Sequence, residues 1–292
     1  MTGLIRAGGA KLAGRGRETG GSGAGLGRAW AVRVYGLGMP LLQNLWPTLI
    51  AVALLATVTS TVLWGYGAPE FRRPAWAVLR AVIQLALLGT VLSGMIKSPW
   101  WTGAALTVMF CVAAWTATRR LGRGRRYLGL VAGAMAAGVV VALGIIFGVG
   151  ALDTTPRYAL ALGGIVVGNV MSITTLTGRR VRQGVTDRWD EVEGWLALGA
   201  PPPRSTLDIA RHAVHEALIP TVDQTRTTGI VTLPGAFVGA IFGGASPLEA
   251  GRFQVVVLAA VLAAGSLTAV IVARALSASP TRALGHAEAS NA

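Results

Sequence analysis

Few side chains in this chain could do chemistry, and most of them lie inside or beside long apolar runs. Asp223, Gln224, Arg226, Thr227 and Thr228 precede a Leu233-Pro234-Gly235 break. An ionised group at the centre of a membrane span costs about 2.5–3.5 kcal/mol on insertion scales, so such a cluster is a candidate site by default. Asp223 and Arg226, three apart, share a helix face and can pair. Pro234 removes a backbone hydrogen bond and Gly235 loosens the turn, which at membrane depth is tolerated only beside protein or a water-filled cavity. A broken polar helix suits a transport path, and a structural ion pair beside a harmless kink explains the same residues equally well. Asn169 and Met171 are an amide and a thioether that can line a cation path or serve interhelical packing. Arg80 and Gln84, four apart, form a second membrane-embedded polar pair, with snorkelling to phosphate as the simpler account of the arginine. His212, His215 and Glu216 have metal-ligating types but not the His-Glu-x-x-His spacing of zinc enzymes, so no metal site is assigned. No nucleophile and base are spaced for covalent catalysis.

The elements holding these residues follow from composition. Of 292 residues, 53% are hydrophobic and 13% charged, and the mean hydropathy is +0.58. Soluble domains draw about a quarter of their residues from the charged types, so a water-soluble globule is excluded. The 40 glycines fit closely packed membrane helices better than a strand-rich barrel. The reading is all-α, a polytopic membrane protein with about seven transmembrane helices, each run supplying the roughly 20 residues that span a bilayer. The runs are 45–66, 76–96, 100–118, 127–150, 158–178, 218–243 and 253–276. Trp46, Trp64, Trp76, Trp100, Trp101, Tyr127 and Tyr158 lie near run ends, as headgroup-level aromatics do.

The net charge of +14 would suggest nucleic acid in a soluble protein, but here the basic residues cluster between apolar runs, and no nucleic-acid partner is expected. Arg72, Arg73, Arg119, Arg120, Arg123, Arg125, Arg126, the arginines of 179–217, Arg274 and Arg282 occupy one set of loops and the C-terminal tail. The alternate loops hold only Lys97, Arg157 and Arg252, so the positive-inside rule places the C-terminus and the 179–217 loop in the cytoplasm of a cell's inner (plasma) membrane. Three domains result: a basic tail over 1–38 that reads as disordered, a transmembrane domain over 39–276, and a cytoplasmic tail over 277–292. Cys111 is the single cysteine, so no intrachain disulfide forms.

Connections are short except 179–217. Trp189, Val192, Trp195 and Leu196 recur at helical spacing, with Asp190, Glu191 and Glu193 on the remaining surface, which predicts a short amphipathic helix. Gly199 and the Pro201-Pro202-Pro203 run end it. A second helix is expected after Ser205, capped with help from Asp208, with Leu207, Ala210, Val214 and Leu218 along one face. Two helices broken by a tight turn fit a partner's groove or rest on lipid. The spacing of Gly164 with Gly168, and the ladder Gly235, Gly239, Gly243, suggests a helix-pairing face, the ladder more than the single pair.

The segment EVEGWLALGA at 191–200, followed by ALIPTVDQTRTTGIVTLPGAFVGAIFGGASPLEAGRFQ at 217–254, resembles the signature of the small iron-export ABC permeases of bacteria (FetB-like), related to the plant aluminium-sensitivity permeases. Arg80-x3-Gln84-Leu85-x3-Gly89 and Gly168-Asn169-x-Met171 are also similar to family motifs, and the likeness runs from about 45 to 276. Ser172 occupies a place where Asn often follows that Met, and Ala240 one that is often polar. The resemblance implies the permease subunit of an exporter for a metal ion such as iron or a metal-linked solute. It also implies that Glu191, Glu193, Trp195, Leu198 and Gly199 couple to a separate ATPase, which binds ATP and Mg, and that the permease pairs as a homodimer. The residues agree: neither lysine, Lys11 nor Lys97, follows the glycine that a Walker A loop requires, so this chain is a transporter subunit and not an enzyme. Asn169, Met171, Asp223, Gln224, Arg226, Pro234 and Gly235 are the candidates for the transport path. A self-sufficient proton-coupled carrier, or an intramembrane enzyme using Asp223, is the alternative.

Residues 1–38 match nothing in that family and reverse the charge asymmetry of the other loops. A lipid-binding tail, an unusual leader and sequence upstream of the true start are three readings of them. The expected outcome is a functional protein that begins near Met39, checked by N-terminal sequencing of the natively expressed product; retention of Arg6 and Lys11 would make the tail a real extracytoplasmic segment.

Overall fold

The computed structural model describes residues 46–95, 98–122 and 127–278. The 1–38 tail, Met39, Lys97, Arg123, Arg125, Arg126 and the 277–292 tail beyond Ala278 lie outside the described residues. Among those described, the regular structure is helical, joined by turns, with one isolated bridge between Thr228 and Thr232. Its contacts divide it into two units, Met1–Leu88 and Gly89–Ala292.

The first unit contains α1 (Trp46–Gly65) and most of α2 (Arg73–Met95). A turn joins them through Gly67 at φ +73° and Glu70 at φ +62°, and Glu70 forms an ion pair with Arg73 at the start of α2. Arg80 and Gln84 are exposed on α2.

The second unit holds α3 (Pro99–Arg120), α4 (Leu128–Gly148), α5 (Pro156–Asp187), α6 (Trp189–Ala197), α7 (Pro202–Ser205), α8 (Leu207–Thr227), α9 (Gly235–Phe242) and α10 (Pro247–Ser277). Proline in the first turn starts α3, α5 and α10, where its missing N–H costs nothing. Ser246 adds a reciprocal capping box with Glu249 to α10. α5 and α10 are the two long central helices: α10 packs on α4, α5, α8 and α9, and α5 on α3, α4, α8 and α10. Met135, Leu162, Val166, Val170 and Val257 fill the core between them.

Small residues set how closely these helices approach. A Cβ at Gly138 of α4 would collide with Thr268 Oγ1 and the Ala264 carbonyl of α10, and one at Gly265 of α10 with Ile173 of α5. Thr268 Oγ1 lies 2.8 Å from the Ala264 carbonyl and 3.2 Å from the Ala134 carbonyl of α4, so its single proton serves both helices.

Among the described residues, α1, α3, α4, α5 and α10 are long and apolar enough to cross a membrane. α2 has the length, at 23 residues, and carries Arg80 and Gln84 within it. Three expectations are corrected. The run 218–243 is not one helix: it is the end of α8, a turn over 228–234 built on Gly229 at φ +86°, and the eight-residue α9 with Pro234 as its N-cap. The loop expected from 179 begins only at Arg188, because Val181 and Val185, four apart, bury against Ile209 and Val272 and carry α5 onward. The Ser205–Asp208 cap does not form: Ser205 Oγ donates to the Pro202 carbonyl, Thr206 is the N-cap, and the buried face of α8 is Ile209, Ala210, Ala213 and Ala217, leaving Leu207 exposed.

Replacing Gly138 with Ala should destabilise the protein by about 1–3 kcal/mol, the usual cost of overpacking. Gly133→Ala, where a Cβ would meet nothing within 4 Å, should be neutral in the same detergent melt. Equal melting of the two variants would refute close contact of α4 and α10.

Candidate functional site

Two places in the second unit bring candidate residues together. The first is the corner where α5 turns into α6. Arg188 ends α5 and caps α6 at φ −115° and ψ 36°, outside the helical region. Its guanidinium Nη1 lies 3.6 Å from Glu191 Oε2 on α6 and 3.6 Å from Asp208 Oδ2 on α8, so one side chain links three helices. Arg180 reaches Glu216 of α8 at 3.1 Å. All five groups are part exposed, so these pairs orient more than they stabilise. The anchor of α6 is Val192, fully buried, with Trp189 and Leu196 packed beside it.

The rest of the surface of α6 is exposed. Trp195 is 45% and Leu198 82% exposed, and Glu193 is exposed between them. Gly199 at φ +84° donates to the Leu196 carbonyl and Ala200 to the Trp195 carbonyl, a Schellman ending that needs the left-handed glycine. Pro201 follows in extended geometry and starts α7. The result is a blunt apolar tip held on a fixed base. Thr206 Oγ1 at the start of α8 hydrogen-bonds the Ser277 carbonyl at 3.3 Å, tying this end to α10.

The second place is a cleft of about 170 Å³ between α5 and α8. Asn169, Ser172 and Ile173 line one side, and Pro220, Thr221 and Gln224 the other. Asn169 Nδ2 donates to the Ile165 carbonyl at 2.8 Å, which leaves its Oδ1 available to the cleft, and Ser172 Oγ donates to the Gly168 carbonyl at 3.2 Å. Pro220 lies inside α8 and cannot donate to the Glu216 carbonyl, so that carbonyl lacks its usual donor four residues on. The lining is neutral and polar on an apolar floor: it can exchange hydrogen bonds with a solute but offers no carboxylate, thiolate or imidazole to a bare metal ion. Among the described residues no three His, Cys, Asp or Glu side chains are grouped to hold a metal, so His212, His215 and Glu216 form no such cluster.

Asn169 and Gln224, far apart in sequence, therefore line one cleft. Met171 does not join them. Two residues along a helix is a rotation of about 200°, and its thioether packs against the core. Asp223 and Arg226 form no ion pair among the described residues and both are exposed, so the expected pairing is corrected. Pro234 and Gly235 begin α9 below the 228–234 turn and do not line the cleft. The sequence reading missed Arg188, counted only as a loop charge, and Pro220 and Thr221. An internal proline four residues after Glu216 was the available signal.

A family model described as an uncharacterised protein family, UPF0014, matches residues 46–279. The chain is 35% identical over 198 residues to the UPF0014 membrane protein STAR2 of Oryza sativa subsp. japonica, covering 67% of this chain and 70% of that one. It is 34% identical over 200 residues to the protein ALUMINUM SENSITIVE 3 of Arabidopsis thaliana, covering 67% and 72%. It is 31% identical over 204 residues to the "Probable iron export permease protein FetB" of Escherichia coli (strain K12), covering 67% and 76%. No solved structure matches. The chain belongs to the UPF0014 family of multi-pass membrane proteins, whose members include that permease.

Arg188→Gln should loosen α6 without releasing it, since Val192 still anchors the helix. Amide exchange over 189–197 should quicken on the order of threefold to tenfold, as loss of two part-exposed pairs implies, with α4 unchanged. Unchanged exchange over α6 would remove Arg188 as the link.

Proposed function

We propose that this member of the UPF0014 family is the permease subunit of an ABC exporter in the inner (plasma) membrane. It works as a homodimer with a separate ATPase that binds ATP and Mg, and moves a metal ion such as iron, or a metal-linked solute, out of the cytoplasm. The observation that carries the reading is α5. One unbroken helix runs from the cleft at Asn169 to the corner at Arg188, where α6 offers Trp195 and Leu198 to a partner. A buried anchor beneath an exposed apolar tip is what a helix needs to fit another protein's groove. In this reading Glu193, Trp195, Leu198 and Gly199 dock directly, and Glu191 acts through Arg188. The basic residues of the same loops support a cytoplasmic tip and C-terminus.

The names of two relatives supply the substrate class, one referring to iron export and the other to aluminium sensitivity. The neutral cleft supports a cation carried with its water or in a complex, held by Asn169, Ser172, Thr221 and Gln224. Gly235 and Gly239, where a Cβ would meet nothing within 4 Å, support a second copy of this chain against α9. Asp223 stands exposed, and proton-relay chemistry draws no support from its surroundings.

The test is the chain purified with its ATPase and assayed for hydrolysis stimulated by ferrous, ferric and aluminium ions, alongside ATP-dependent accumulation in inverted vesicles. Leu198→Asp should abolish stimulation with membrane insertion intact. Asn169→Ala with Gln224→Ala should cut accumulation at least roughly tenfold, the loss of about 1.4 kcal/mol of solute contact, while the ATPase stays bound. Transport that needs a proton gradient and not ATP would overturn the reading.

A further inference from the structure

The arginines at the α6 end of the second unit lie at one level. Arg182 Nη1 donates to the Leu121 carbonyl at 2.9 Å, which aligns the end of α3, with Arg119 and Arg120, to this turn of α5. Gly184 of α5 faces Ile209 of α8 at 2.7 Å from the position of a Cβ, which brings Arg211 to the same height. Gly265 beside Ile173, with α5 and α10 running in the same sense, places Arg274 there as well. Guanidinium groups at one height around a helical bundle mark a headgroup plane.

At this level a groove of about 560 Å³ opens between α8 and α10. Arg211 and Arg274 are both exposed on it. No acidic residue lines it, and neither arginine has an ion pair among the described residues. Asp208, the acidic residue nearest in α8, is instead engaged by Arg188 and His212. From this plane Val214 and Val270 lie one turn further along their helices, and both line the groove. Two unpaired cations therefore sit at headgroup height with an apolar slot running from them toward the bilayer interior. We propose that this groove binds one anionic phospholipid from the surrounding leaflet, its phosphate between Arg211 and Arg274 and an acyl chain along Val214 and Val270. The inference goes beyond the transport reading and needs neither the ATPase nor the substrate.

The full chain in mild detergent is titrated with phosphatidylglycerol and with phosphatidylcholine, and bound lipid is read by native mass spectrometry. Phosphatidylglycerol should bind preferentially. Arg211→Gln with Arg274→Gln should weaken it roughly thirtyfold, the loss expected for two arginine contacts at roughly fivefold each. Val270→Trp, which fills the slot with both charges kept, should weaken binding of the same lipid. Arg119→Gln with Arg120→Gln, at the same level but away from the groove, should change it less than threefold. Equal binding of the two lipids, full retention by the double variant, or an equal loss in the Arg119 and Arg120 control would overturn the proposal. So would a double variant that keeps its lipid and loses a co-purified protein, because the groove would then be a protein dock.

Discussion

Everything in the second unit depends on how closely α10 lies against α4 and α5. Water cannot drive this packing, because lipid tails are as apolar as the core, so contact must come from backbone proximity and hydrogen bonds between helices. Gly138 and Gly265 supply the proximity, and Thr268 supplies the hydrogen bond by placing one hydroxyl within reach of carbonyls on two helices. A side chain at either glycine would separate the helices and with them the lever formed by α5. The site between α5 and α8 is thus positioned in part by α10, whose Gly265 meets Ile173, a residue that itself lines the cleft. Gly184 against Ile209 repeats the device where α5 meets α8 directly.

That packing gives α5 its reach. The stretch 170–187 rises about 27 Å at 1.5 Å per residue, from the cleft to the corner at Arg188. No proline or break interrupts it, so a tilt at one end displaces the other. α8 is different. Pro220 frees the Glu216 carbonyl inside the helix, and the 228–234 turn ends it, so the partner wall of the cleft is the softer one. A rigid helix facing a breakable one is a geometry in which the cleft can change width while the α6 base stays attached.

The long apolar runs were legible because length and apolarity alone specify a span: α1, α3 and α4 lie within two residues of the expected limits, and α10 begins six residues before its run, at Pro247. The limits of α5 were not. Arg179, Arg180 and Arg182 read as a loop, and they conceal Val181 and Val185, whose burial depends on Ile209 and Val272 from other helices. Asn169 and Gln224 were each legible as costly polar residues in apolar runs, but their place on one cleft follows from the antiparallel register of α5 and α8, which no single-helix period encodes. The Asp223 and Arg226 pairing failed for a related reason. Sharing a face permits contact but does not favour it where water or headgroups can solvate both charges, and both are exposed.

The neutrality of the cleft bears on how a permease can release what it binds. A cluster of carboxylates or imidazoles would hold a transition metal at fixed short distances, and affinity of that kind opposes exit. Amide and hydroxyl groups bind a hydrated or complexed cation through exchangeable hydrogen bonds, each of small net worth because water offers the same bond on either side. Selection must then come from shape and from the completeness of the enclosure. One chain provides only an open cleft, with Asn169 and Ser172 on one wall and Thr221 and Gln224 on the other. In the proposed dimer, a second copy closing over it would raise the number of contacts without raising the strength of any, so that binding would rise on closure and fall on opening.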